Sequence, residues 1–212
     1  MHIPDGFLTI PVAAVTGALS AGGLGTAVKI AGRKLGEKHI PLMGVLAAFI
    51  FAAQMLNFPV AGGTSGHLIG ATLCAVLLGP WAGVIIMSSV LLAQCFMFQD
   101  GGLLALGANI FNMGIVAIFG AYLVYRLVIS IAGENRRGYL VGAATAGWVS
   151  VMLASIVASI ELAASGTSPL GTILPAMLGV HIVIGAGEAL ISLLVVSAVL
   201  ASRADILKLE RV

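Results

Sequence analysis

Charge is the scarcest thing in this sequence. Only 8% of its 212 residues are charged, against roughly 25% in a soluble domain. So few charges do not cover a water-facing surface of this size, which excludes a soluble enzyme or binding module. The formal net charge of +2 is too small to mark a nucleic-acid partner. Cysteine is equally thin. Cys74 and Cys95 lie in apolar runs and form no CxxC pair, so no disulfide framework is implied and packing is the role that fits. None of Lys29, Lys34, Lys38 and Lys208 is followed by Ser or Thr. That rules out a GxxxxGK[ST] phosphate loop and ATP binding through one. A basic leader region is also missing from the start, Met1-His2-Ile3-Pro4-Asp5-Gly6-Phe7, so no signal peptide is expected. The bulky His2 predicts that Met1 is retained with its free α-amine.

What is present is apolar. Hydrophobic residues make up 60% of the chain and the mean hydropathy is +1.14. Crossing a ~30 Å hydrocarbon core takes about 20 helical residues. Clear apolar runs cover residues 8–31, 40–57, 103–131, 139–164 and 172–201. The stretch 67–98 is long for one span and short for two. Gly79-Pro80 sits in its middle, and proline breaks helix there. Charge decides the count. Lys29, Arg33, Lys34 and Lys38 flank one loop; Arg126, Arg136 and Arg137 flank another; Arg203, Lys208 and Arg211 follow the last run. The positive-inside rule places all three clusters in the cytoplasm. Two cytoplasmic loops are separated by an even number of crossings, so 67–98 must divide at Pro80 into about 64–78 and 81–98.

The expectation is therefore an all-α, polytopic membrane helical bundle of about seven transmembrane helices. It is one transmembrane domain over 1–212, with the amino terminus outside and the carboxyl terminus cytoplasmic. The third span is only ~22 Å long if it begins at Thr64. Short or interrupted helices in transporters border substrate cavities. A Gly-rich outer loop, 58–67, ends at His67, and a cytoplasmic tail occupies 202–212. In the first span Ala13, Gly17, Ala21 and Gly25 repeat every four residues, with Ala14, Ala18 and Gly22 beside them. Small residues at this spacing let another helix approach closely. They serve either packing within the bundle or docking of a second membrane subunit.

Ionisable groups inside a membrane are costly and often functional. Sorted by depth, Met1, His2, Asp5, His67, Asp100 and Glu161 fall on the outer side, while His181 and Glu188 lie deeper in the last span. Structural hydrogen bonds within the bundle are the expected role of His181 and Glu188, with a proton relay the alternative for Glu188. The informative combination is two imidazoles and an amine on one side. A histidine at position 2 chelates by itself: amine and amide nitrogens close a five-membered ring on a metal, and amide and imidazole Nδ1 close a six-membered one. The amide must lose its proton, which calls for a metal favouring planar nitrogen ligation, such as Ni(II) or Cu(II). One in-plane position stays open, and His67 is the donor at hand.

At these residues the chain resembles a known family. Met1-His2-Ile3-Pro4-Asp5-Gly6-Phe7-Leu8 and Gly62-Gly63-Thr64-Ser65-Gly66-His67-Leu68 are similar to the NikM/CbiM family. Its members are substrate-capture (S) components of energy-coupling-factor (ECF) transporters for nickel or cobalt. The resemblance covers essentially the whole chain. It implies a seven-helix bundle in a prokaryotic cell (inner) membrane, with segment 1–7 inserted into it. It further implies Ni2+, or Co2+, held as cargo by Met1, His2 and His67. The implied partners are a transmembrane T component, cytoplasmic ABC ATPases and a small additional membrane component. Asp5, Thr64, Ser65 and Asn109 are candidates to orient the ligands. Ala14, Ala18 and Gly22 are candidates to dock the T component. Two rivals come from other classes. Gly63-Thr64-Ser65-Gly66 reads as GxSG, which with His181 suits a rhomboid-like intramembrane serine protease. Glu161 and Glu188 suit a proton-coupled carrier.

Overall fold

The computed structural model describes residues 1–36, 39–60 and 64–206, with the side chains of 57–65 outside that description. Among the described residues it contains seven helices and one hairpin. The elements in chain order are α1 (Ile10–Lys34), α2 (His39–Gln54), β1 (Asn57–Val60), β2 (Thr64–His67), α3 (Ala71–Leu77), α4 (Pro80–Phe98), α5 (Leu106–Ala132), α6 (Arg136–Ala164) and α7 (Leu170–Ser202). Helices α1, α4, α5, α6 and α7 are long and apolar enough to cross a membrane; α2, with 16 residues, is shorter. The chain is a multi-pass membrane protein. Its outward faces carry large apolar side chains such as Val15, Leu123, Ile131 and Val183, which lipid solvates as well as a protein core does.

The division at Pro80 follows from the backbone. Gly79 has φ +90° and Pro80 opens α4, a position where its missing N–H costs nothing. The helix before it is much shorter than expected. Only Ala71–Leu77 is helical where 64–78 was predicted, about 10 Å of rise. Gly70, at φ +79°, stops the helix from extending backwards. Thr64–His67 instead pairs antiparallel with Asn57–Val60, His67 opposite Asn57. Irregular backbone at membrane depth survives only inside protein, and every residue of α3 is buried.

Two packing contacts set the frame around the site. Helices α1 and α5 meet at glycines: a Cβ on Gly107 would lie 2.5 Å from Gly17 Cα. Ser20 Oγ closes this seam by donating to Gly107 O at 2.6 Å. Helices α6 and α7 touch at Gly147, where a Cβ would come within 3.0 Å of Ala189 Cα. Near the opposite end of this pair, Arg136 Nη2 donates to Ser197 Oγ at 3.4 Å. That contact puts the Arg136 end of the second basic cluster at the same end of the bundle as the carboxyl-terminal end of α7, where Arg203 follows. Of the tail expected over 202–212, residues 207–212 lie outside the described residues.

Candidate metal centre

The first nine residues form no helix. They run as a strap into the bundle. Met1 and Ile3 are fully buried and His2 is 4% exposed. A buried strap needs partners for its backbone, because each orphaned polar group costs about 1–3 kcal/mol. Asn109 supplies two of them. Its Oδ1 accepts from the Ile3 N–H at 2.8 Å, and its Nδ2 donates to Ile3 O at 3.1 Å. The Gly102 N–H also donates to Ile3 O, at 3.0 Å. Asp5 accepts from the N–H groups of Leu103, Leu104 and Ala105 at 3.0, 2.7 and 3.3 Å. Thr167 Oγ1 donates to Phe7 O, and the Thr9 N–H to Ser165 Oγ. The strap is thus sewn to the α4–α5 and α6–α7 connections, at one end of the bundle.

Glycine makes the close approach possible. A Cβ on Gly102 would stand 2.3 Å from the Asp5 backbone nitrogen. Gly101, at φ +92°, lies over His2, with space for a Cβ only 3.1 Å from Asn109 Nδ2 and 3.4 Å from His2 Cδ2. Immediately after Asn109 the helix widens into a π turn over Ile110–Val116, a feature frequent at functional sites. Asn112, within that turn, donates to Glu161 Oε2 at 2.7 Å.

The strap delivers His2 onto His67. Their rings stack with centroids 4.5 Å apart and planes 22° apart. Since each metal–nitrogen bond spans about 2 Å, two imidazoles this close suit one ion. His67 is 1% exposed. Its Nδ1 lies 2.7 Å from the Leu68 carbonyl, which only accepts, so Nδ1 carries the proton. The other nitrogen, Nε2, is buried with no hydrogen-bond partner among the described residues, and in the neutral ring it presents a lone pair. His2 has an acceptor at each nitrogen: Gln94 Oε1 lies 3.0 Å from Nε2, and Asp100 Oδ1 lies 3.2 Å from Nδ1. Burial pushes the Met1 amine well below its ordinary value of 8.0, against the opposing charge of Asp100. Burial likewise lowers His2, with Asp100 again opposing. An open cleft of about 330 Å³ lies over the strap, lined by Asp5, Cys95 and Gly102 among others. Its lining includes neither imidazole, and both rings are buried.

Of the expected site residues, Met1, His2 and His67 come together. Among the described residues no three His, Cys, Asp or Glu side chains group as a metal site. Asn109 and Asp5 hold the strap rather than the rings. The side chains of Thr64 and Ser65 lie outside the described residues. Ala14, Ala18 and Gly22 are exposed on α1, on the side turned away from the Gly17–Gly107 seam. Sequence reasoning missed Gln94 and left Asp100 without a role. A glutamine in an apolar helix gives no sign of its orientation, and Asp100 needed the fold to bring it to residue 2.

A bundle of membrane-length helices enclosing a buried cluster of nitrogen donors defines a multi-pass membrane protein with a polar internal centre. Residues 2–206 match the family described as CbiM, cobalt uptake substrate-specific transmembrane region, and the chain belongs to this family. It is 44% identical over 98% of its length to a putative fused nickel transport protein NikMN of Archaeoglobus fulgidus, of which it covers 68%. It is 36% identical over 91% of its length to a fused nickel transport protein NikMN of Rhodobacter capsulatus, of which it covers 59%. A cobalt transport protein CbiM of a Nostoc species is 36% identical over 61% of the chain, which covers 48% of that relative. A crystal structure of a truncated transition metal transporter superposes with TM-score 0.88 at 38% identity, over 95% of this chain and 99% of that one. The protein is a nickel/cobalt-type metal transport component and not an enzyme. That family assignment displaces the protease reading. Of the residues that carried the rival readings, His181 Nδ1 bonds to Met177 O, Glu161 to Asn112 and Glu188 to the backbone of residues 69–70.

Proposed function

We propose that this protein is the Ni2+-capturing subunit of an ATP-driven importer of the ECF type. The ion is held by the Met1 amine, the His2 amide nitrogen, the His2 imidazole Nδ1 and the His67 imidazole Nε2. The observation that carries this reading is the buried stack of His2 on His67 next to the Met1 amine. Loading exchanges protons for metal. The amine, the amide and Nδ1 must each be free of a proton to ligate, and Nδ1 must trade its contact with Asp100 for the ion. Four nitrogens in a plane leave no in-plane position for an activated water, so the site captures without catalysis. A planar amide-nitrogen set favours Ni2+ over Co2+, and geometry rather than raw affinity must exclude copper.

No phosphate loop for ATP occurs in the chain, so energy comes from partner ATPases working through a transmembrane T component, with a small additional membrane subunit completing the set. The ridge of Ala14, Ala18 and Gly22 is the face offered to the T component. The decisive experiment acetylates the Met1 amine, or adds one residue before it, and titrates nickel against a competing chelator. Binding is expected to be lost with the yellow planar-nickel absorption. Unchanged affinity would sink the amino-terminal site.

A further inference from the structure

Helix α7 reaches the site from behind. Its inward stripe is Ile173, Met177, His181, Gly185, Glu188, Ser192 and Val196, and Glu188 on that stripe is 3% exposed. Among the described residues the Glu188 carboxylate bonds to backbone groups only. Its Oε2 accepts from the Ile69 N–H at 2.9 Å and its Oε1 from the Gly70 N–H at 2.7 Å. These are orphan donors just before α3, which has no side-chain cap of its own. From the other side, Gln54 Nε2 donates to Ile69 O at 2.7 Å. The turn is therefore clamped at both its N–H and its C=O groups.

That turn begins at His67. The Leu68 carbonyl takes the His67 Nδ1 proton at 2.7 Å, and this bond decides which ring nitrogen is left bare. The Leu68 side chain lies against Gly187, beside Glu188. Glu188 itself is fixed by the α6–α7 contact, where a Cβ on Gly147 would stand 3.1 Å from the Glu188 carbonyl. A chain of rigid contacts thus runs from α7, through residues 70, 69 and 68, to the Nε2 lone pair of His67.

We propose that Glu188 is a positioning residue for His67, acting through the backbone of Leu68–Gly70 to set the tautomer and direction of the imidazole that takes the metal. The proposal rests on the reading of His67 as a ligand. An amide at position 188 accepts from one N–H and turns its own NH2 toward the other, donor against donor. The clamp then opens on one side while the side chain keeps its volume.

The test is nickel titration of the full chain in detergent, against a competing chelator, for Glu188→Gln, His67→Ala and the double variant. Glu188→Gln is expected to weaken nickel binding about tenfold or more, the range found when groups behind metal ligands are lost, and to shift the planar-nickel absorption. In the His67→Ala background the same change is expected to add nothing further. An equal loss in both backgrounds, or no loss in either, overturns the positioning role, since a merely structural clamp weakens binding whether or not His67 is present. If Glu188→Gln does not fold, Glu188→Asp draws the carboxylate back by one methylene. It is expected to give a smaller loss, again confined to the chain that retains His67, and a loss independent of His67 overturns the proposal. Unchanged nickel affinity in His67→Ala alone overturns the ligand reading itself, and is told apart by appearing without any change at Glu188.

Discussion

The Met1 amine is an ordinary group in an unusual place. In water an α-amine is largely protonated at neutral pH, and a proton on it excludes the metal. Burial lowers its pKa, so fewer protons compete for it inside the bundle. Nickel binding is expected to fall as pH drops and the amine and imidazoles take up protons, measured as affinity across pH 5 to 8. Asp100 works in the opposite sense. It favours the cationic forms of both Met1 and His2, so its loss lowers both pKa values. Asp100→Asn is expected to move the pH of half-loss to more acidic values, by about one unit if the contact is worth ~1.4 kcal/mol. A uniform loss of affinity at every pH would instead make Asp100 a ligand.

Among the elements, the strap is the one that the fold must hold against its own entropy. Asn109 bonds both polar groups of Ile3. Asn109→Ala leaves the buried Ile3 N–H without its partner while Ile3 O keeps the Gly102 N–H, which costs about 1–3 kcal/mol. Nickel affinity is expected to drop by roughly tenfold to a hundredfold with helix content unchanged in circular dichroism. The α1–α5 seam makes a different prediction. Gly107→Val inserts atoms where a Cβ already meets Gly17 Cα at 2.5 Å, and overpacking costs about 1–3 kcal/mol. Thermal unfolding in detergent is expected several degrees lower. The strand β2 and the seven-residue α3 were not legible as such. Thr64–Leu78 reads as one apolar span, and only the pairing with Asn57–Val60 and the positive φ of Gly70 reveal that the chain crosses that depth partly without helix.

For the whole molecule, the proposed function separates two surfaces: the buried His2–His67 centre and the face offered to a partner subunit. The exposed ridge on α1 is separable from the site by geometry, since Gly17 faces α5 while Ala14, Ala18 and Gly22 face outward. Ala18→Trp is expected to leave nickel affinity of the isolated protein unchanged and to abolish co-purification with a T component. Intact assembly would place the docking face elsewhere. The strap bonds the α4–α5 connection at Gly102–Ala105 and the α6–α7 connection at Ser165 and Thr167. Withdrawing the strap therefore means breaking contacts to two connections at one end of the bundle.

By itself the sequence determined the membrane and the seven helices, and it pointed to Met1, His2 and His67 as the candidate centre. Those follow from local physics: hydropathy over twenty residues, charge asymmetry between loops, a proline that cannot continue a helix, and the chelating chemistry of a histidine in second place. Only the tertiary structure decided what surrounds them. Gln94, Asp100, Asn109 and Glu188 are distant in sequence from the residues they hold, and an isolated polar side chain in an apolar helix does not announce which way it points. Their partners are fixed by how α4, α5 and α7 pack, and that packing depends on close contacts at Gly107 and Gly147 that no local pattern encodes.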